Sequence, residues 1–327
     1  MGLSDVLNYL SLAPGKDVLA SRFPGAEDGG MGMVASVLGG NSEDLSIVLS
    51  VPASAAVMAQ LELAPEAVTK FLAGAGNMPQ GKRDVPAKLQ VTITHDDKAQ
   101  ASNVVAVLRG SDPVLANEAI VYSAHMDHVG KRMDGDVFNG ADDNASGSAG
   151  LLEIATAYAQ GKEKPRRSIV LLSVSGEELG LWGSAYYANH PTWPIDKVVA
   201  DINTDMIGRS GSESGPQQIA VTPSYSHDMY STLVRDSVPL AAELGVTFTT
   251  GDRYYTRSDH YNFAKLGIPV IFFCSGEHED DHQVTDHADK LDGEKMERIA
   301  RLAFWTGWNA ANSDDRPRVL GPRKDWR

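Results

Sequence analysis

Histidine, aspartate and glutamate gather in five short stretches of this 327-residue chain. The first is Ser123-Ala124-His125-Met126-Asp127-His128, and the second is Gly140-Ala141-Asp142-Asp143-Asn144-Ala145-Ser146-Gly147. The third is Ser175-Gly176-Glu177-Glu178-Leu179-Gly180, the fourth runs from Asp201 to Asp205, and the fifth holds His278, His282 and His287 among several acids. Nitrogen and oxygen donors without thiolates are the ligand mix of a catalytic zinc site, which keeps positions open for water and substrate. In extended backbone alternate side chains share a face, so His125 and Asp127 can point the same way. A carboxylate beside a ligating imidazole would hold the ring and raise its basicity. Adjacent Glu177 and Glu178 diverge, so one is expected to ligate while the other moves protons, as metal-assisted hydrolysis requires. The Asp-Asn-Ala-Ser run of the second stretch also has an ordinary reading as the start of a helix. One carboxylate each from the second, third and fourth stretches gives about three negative charges against about four from two divalent ions. A bridging hydroxide would bring that centre near neutrality, so two metals fit better than one.

These residues need elements that bring them together. Apolar, β-branched runs occur at residues 103–108, 119–124, 168–174, 197–202 and 268–274, and helical patterns occur at 146–160, 183–189, 226–244 and 293–312. Short apolar strands alternating with helices predict a mostly parallel mixed sheet covered on both faces, a three-layer α/β/α sandwich. Four of the five stretches fall just beyond the C-terminal ends of these strands, where open α/β sheets place their ligands. Residues 1–95 are Gly-rich and irregular, with a β-like run at 45–51 and a helical pattern at 64–72, and read as an accessory module. The catalytic domain is expected over 96–317. The end of the chain, rich in charge and proline from Asp314 on, reads as a loosely attached tail, with 318–327 outside the domain.

Composition sets outer bounds. A formal charge of −14 argues against nucleic acid as a partner, because such binding relies on clustered Lys and Arg. No apolar run is long enough to span a bilayer. The single cysteine, Cys274, excludes an intramolecular disulfide and a thiolate metal cluster. The first residues carry no basic and apolar leader pattern, so the sequence is compatible with a cytoplasmic protein or with a mature form.

The stretches, with Arg257-Ser258-Asp259-His260-Tyr261-Asn262-Phe263 and His282-Gln283-Val284-Thr285-Asp286-His287, resemble the aminopeptidase Y family of clan MH metallopeptidases, which includes bacterial leucyl aminopeptidases. The likeness runs from Ser102 to Pro317, roughly two thirds of the chain. It implies the zinc exopeptidase fold and two co-catalytic Zn2+ ions acting on peptide substrates, in a secreted or periplasmic setting. It further implies that Asp143 bridges both ions, that Glu178 and His282 complete one and His125 and Asp205 the other, that Glu177 is the general base and that Asp127 orients His125. Residues 1–95 resemble part of a protease-associated module. Relatives often carry Tyr just before the last histidine ligand, where this chain has Asp281, so oxyanion support must come from elsewhere.

Candidates for contact with substrate are Tyr254, Tyr255, Arg257, His260, Glu279 and Asp281. Tyr254, Tyr255 and His260 could support the oxyanion. The acidic run 277–281 could receive a free ammonium, and Arg257 or Arg253 a terminal carboxylate. Three other readings are a carboxypeptidase, a single-zinc enzyme like glutaminyl cyclase, and a receptor-like relative without catalysis. Oligomeric state is not legible in the sequence.

Overall fold

The computed structural model describes residues 62–64, 100–132, 135–210 and 215–326. Apart from residues 62–64, the expected accessory region, with its strand at 45–51 and helix at 64–72, lies outside the described residues. Residues 100–130 and 138–326 form one compact unit, while residues 131–137 belong to another, where Lys131 and Val137 make a short antiparallel bridge.

The compact unit is built on a seven-stranded mixed sheet: β1 (Val104–Leu108), β2 (Ala119–His125), β3 (Ser168–Val174), β4 (Val198–Thr204), β5 (Gln218–Thr222), β6 (Thr247–Thr250) and β7 (Val270–Cys274), in spatial order β1-β3-β2-β4-β7-β5-β6. The central strands β3, β2, β4 and β7 run parallel, β1 pairs antiparallel with β3, and the parallel pair β5 and β6 joins β7 antiparallel. β2, β4 and β7 are buried along their whole length, which is why they read as continuous apolar runs rather than alternating ones.

The two-residue period of a strand sends alternate residues into two cores. On one face Ile120, Tyr122, Ile202, Ile271 and Phe273 pack against α1 (Gly147–Gln160), α3 (Thr232–Glu243) and α5 (Gly293–Asn312) through Leu151, Ile154, Leu233, Val234, Ile299 and Leu302. On the other face Val121, Val170, Leu172 and Val270 meet Tyr187 of α2 (Trp182–Asn189) and Phe263 of α4 (His260–Ala264). This is the expected three-layer α/β/α sandwich. No helix among the described residues is long and apolar enough to cross a membrane.

Three details depart from expectation. α3 starts at Thr232 rather than near 226, because Ser231 caps it by accepting the Val234 N–H, while His227 and Tyr230 donate backbone bonds within the preceding turns. The edge strands β5 and β6 and the one-turn helix α4 are additional. The tail is also not loose: Val319 bridges Ser231, the Tyr230 hydroxyl donates to the Trp326 carbonyl at 2.6 Å, and Arg166 holds Asp314 at 2.7 Å.

Candidate metal centre

All of the expected donor residues lie at the C-terminal edge of the four central parallel strands. His125 is the last residue of β2, Asp205 follows β4 directly, Glu177 and Glu178 form the turn after β3, and His282 lies on the loop after β7. Asp143 enters from the turn that leads into α1. There Gly140 adopts a left-handed conformation (φ 59°), and Asn144 Oδ1 accepts the Gly147 N–H at 2.9 Å. Asn144 also donates to the Thr204 carbonyl at 3.1 Å, tying this turn to the end of β4. The ordinary helix-start reading therefore describes Asn144, whose side chain accepts the Gly147 N–H, and it leaves the Asp143 side chain to face His125 and His282. Asp286 Oδ2 anchors the same turn from below, accepting the N–H groups of Asp142 at 2.9 Å and Asp143 at 3.3 Å.

The donors form two groups that share Asp143: His125 with Asp143 and Asp205, and His128 with Asp143, Glu178 and His282. Asp143 turns Oδ1 toward His125 Nε2 at 3.2 Å and Oδ2 toward His282 Nε2 at 3.0 Å. Asp205 Oδ1 stands 3.2 Å from His125 Nε2, and Glu178 Oε2 stands 3.1 Å from His282 Nε2. Atoms that share a tetrahedral ion at roughly 2.0–2.1 Å are separated from one another by about 3.3 Å, so these spacings suit a divalent cation in each group. The buried carboxylates and imidazoles supply oxygen and nitrogen donors throughout, and Glu178 Oε1 is buried without a hydrogen bond among the described residues. The residues present fit a pair of ions.

Surrounding contacts fix the orientation of each donor. His125 Nδ1 lies 3.1 Å from the Asp127 carbonyl, an acceptor only, so the proton sits on Nδ1 and Nε2 is left to face the centre. The Asp127 carboxylate is farther from that ring, at 3.8 Å, and instead accepts the backbone N–H groups of Glu177 at 3.2 Å and Glu178 at 3.3 Å. Asp127 therefore positions both β2 and β3 contributions, one through its main chain and the other through its side chain. The Ser258 hydroxyl donates to Asp205 Oδ2 at 2.7 Å. His282 sits at φ 53°, a left-handed conformation uncommon for a residue with a Cβ and typical of positions the surroundings over-determine.

The electrostatics are those of a site short of positive charge. Burial works against charge on His125, but Asp205 and Asp143 beside it raise its pKa well above the usual range. His282 is pushed up to about 11, against burial, by Asp143 and Glu178. Glu177 is pushed up to about 10, first by burial and then by Asp205, Asp259 and Glu178, with His125 opposing. Protons thus stay on groups where cations would otherwise supply the charge.

The remaining candidates are placed as follows. Tyr254 is buried, and its hydroxyl accepts the Glu277 N–H at 3.3 Å. Tyr255 packs on His227 with ring centroids 4.1 Å apart. His260 is fully buried and stacked on Phe272 at 4.6 Å. Arg257 binds Glu277 at 2.6 Å, Glu279 lies 3.7 Å from Arg209, and Asp281 is pushed up to about 6 by burial, by Asp143 and by Glu277 against the pull of His282. Of the other histidines in the fifth stretch, His278 pairs with Asp142 at 3.1 Å beneath the centre, and His287 is near Asn139 at 3.2 Å on the exterior. Sequence reasoning missed His128 as a member of the second donor group. Its signal was its place three residues after His125, just beyond the end of the same strand.

The pattern of Peptidase family M28 matches residues 103–306. A probable zinc metalloprotease of Leptosphaeria maculans is 28% identical over 258 residues, covering 66% of this chain and 59% of that protein. Leupeptin-inactivating enzyme 1 of Streptomyces exfoliatus is 32% identical over 180 residues, covering 54% of this chain and 36% of that protein. The crystallised aminopeptidase of Aneurinibacillus sp. strain AM-1 superposes with a TM-score of 0.53 at 26% identity, over 68% of this chain and 50% of that one. The chain thus spans between about a third and three fifths of the length of these proteins.

Proposed function

Because the chain belongs to peptidase family M28, we propose that it is a zinc-dependent exopeptidase, an aminopeptidase that releases N-terminal residues from peptides. The observation that carries this reading is Asp143, with one carboxylate oxygen turned to each of two donor groups. In this reading Asp143, His125 and Asp205 would hold one zinc ion, and Asp143, Glu178 and His282 would hold the other. When bound, such ions polarise the scissile carbonyl and make a nearby water acidic enough to attack near neutral pH.

The chain's own residues supply proton transfer and recognition. Glu177 stands beside both donor groups without belonging to either. Burial raises its pKa, and cations held beside it would favour the carboxylate. A carboxylate in that place can take a proton from the attacking water and return it to the leaving amine. Asp127 keeps Glu177 in place through the backbone N–H it accepts.

Preference for the amino end follows from charge. Arg257, a candidate receptor for a terminal carboxylate, is already held by Glu277 at 2.6 Å. Within residues 277–281, Glu279 and Asp280 also face cationic side chains, at 3.7 Å from Arg209 and 2.6 Å from Lys290 respectively. Asp281 pairs with no arginine or lysine among the described residues, and we assign it to the substrate ammonium. Zinc analysis after exhaustive dialysis is expected to give two ions per chain. A value of one would favour a single-zinc enzyme instead.

A further inference from the structure

We propose that His128 is a direct ligand of the metal at the Asp143, Glu178 and His282 position, so that this position has four protein donors and its neighbour only three. The inference rests on the two-zinc reading above. His128 Nδ1 lies 2.8 Å from Glu178 Oε1 and 3.6 Å from Asp143 Oδ2. These distances bracket the roughly 3.3 Å expected between donors on one tetrahedral ion. The shorter contact lacks hydrogen-bond geometry: both ring nitrogens of His128 and Glu178 Oε1 are buried without a hydrogen bond among the described residues. A histidine that merely oriented Glu178 would point its N–H along the carboxylate lone pair. Instead His128, Asp143, Glu178 and His282 each offer one donor atom within 4.8 Å of the others, as ligands of a single ion do.

The ring is also built into place. Its side chain is only 9% exposed, and it meets the His282 ring edge to face, with centroids 5.4 Å apart. Gly140 packs against it: a Cβ there would come within 2.3 Å of the Asp143 carbonyl oxygen and 2.6 Å of His128 Cγ, so a side chain at this position would crowd both the turn and the imidazole. The left-handed turn at Gly140 that presents Asp143 therefore also seats His128.

Four protein donors satisfy a tetrahedral zinc ion, whereas three leave a coordination position open. The position containing His128 is therefore the tighter one and fills first. The position of His125, Asp143 and Asp205 is the more open to exchange.

Competition titration of the chelator-stripped full chain with zinc tests this, comparing wild type with His128→Asn, which keeps an amide near Nδ1 but removes the imidazole donor. We expect two unequal binding steps in wild type. In the variant the tighter step should weaken by more than about 100-fold, beyond the 10–100-fold typical of residues that only orient a ligand, while the other step moves little. X-ray absorption of wild type carrying one equivalent of zinc gives a readout that needs no variant, and two imidazoles are expected. Two zinc sites with His128→Asn indistinguishable from wild type, or a single imidazole at the first site, would overturn the inference and leave the two-zinc reading intact. A wild type that takes up no zinc would overturn both.

Discussion

Glu177 and Glu178 are neighbours in the chain and opposites in their surroundings. Glu178 reaches His282 at 3.1 Å and His128 at 2.8 Å, whereas Glu177 belongs to neither donor group. The sequence predicts this division, since adjacent side chains diverge, but not which residue takes which part; that assignment comes from resemblance. Glu177→Ala is expected to keep its zinc, as measured by metal analysis, and to lose turnover by at least about 100-fold, the low end of a general base's contribution. Glu178→Ala should lose zinc as well as activity. An active Glu177→Ala variant would remove this residue from its assigned role. Asp127 was legible only in part. Its spacing from His125 suggested a carboxylate on the imidazole, but the carbonyl does that work and the carboxylate anchors the next strand's turn. Backbone acceptors leave no trace in side-chain patterns.

At the scale of elements, what could be read was what is buried and regular. The run 168–174 and the helical pattern 293–312 match β3 and α5 residue for residue, because a fully covered strand and a long amphipathic helix each impose a composition on the chain. β5 and β6 were missed: they are short, they lie at one edge of the sheet, and Thr247-Phe248-Thr249-Thr250 carries too little apolar signal to stand out. The start of α3 was misplaced because Ser226, like Ser231, is an ordinary helix-starting residue, while the chain between them turns. Packing of α5 on β2 depends on a glycine that pattern reading does not detect. A Cβ at Gly307 would lie 1.9 Å from the Tyr122 hydroxyl, which itself donates to the Phe304 carbonyl at 3.0 Å. Helix propensity alone would make Gly307→Ala stabilising by about 1 kcal/mol. Overpacking reverses the sign, so a loss of about 1–3 kcal/mol is expected in chemical denaturation. An unchanged or higher midpoint would refute the close approach of α5 to the sheet.

For the molecule as a whole, charge and the C-terminal segment connect stability to pH. Burial raises the Glu118 pKa, but Arg316 and Arg167 more than offset it and hold this carboxyl below its ordinary 4.5. A depressed folded-state pKa means the stabilisation is present above about 4.5 and is lost as pH falls through the lowered value. Arg316 is half-exposed, so Arg316→Ala should cost no more than about 1 kcal/mol at pH 7 and progressively less below pH 4. Denaturation of both proteins at pH 7 and pH 3 checks this, and an equal penalty at both would show that the contact is not ionic. The fold class was legible from alternating strands and helices, and the site from acids and histidines at strand ends. The packing of the tail against Tyr230 and Ser231 was not, because charged and proline-rich composition reads as loose whatever it touches. The central claim, a zinc enzyme that cuts at a free amino end, is tested most directly by one hydrolysis panel: aminoacyl substrates with free and with acetylated amino groups, each with and without a chelator. Cleavage of the free substrates alone, abolished by chelation and restored by zinc, is the expected result. Equal cleavage of the acetylated substrates, or activity that survives the chelator, would contradict it.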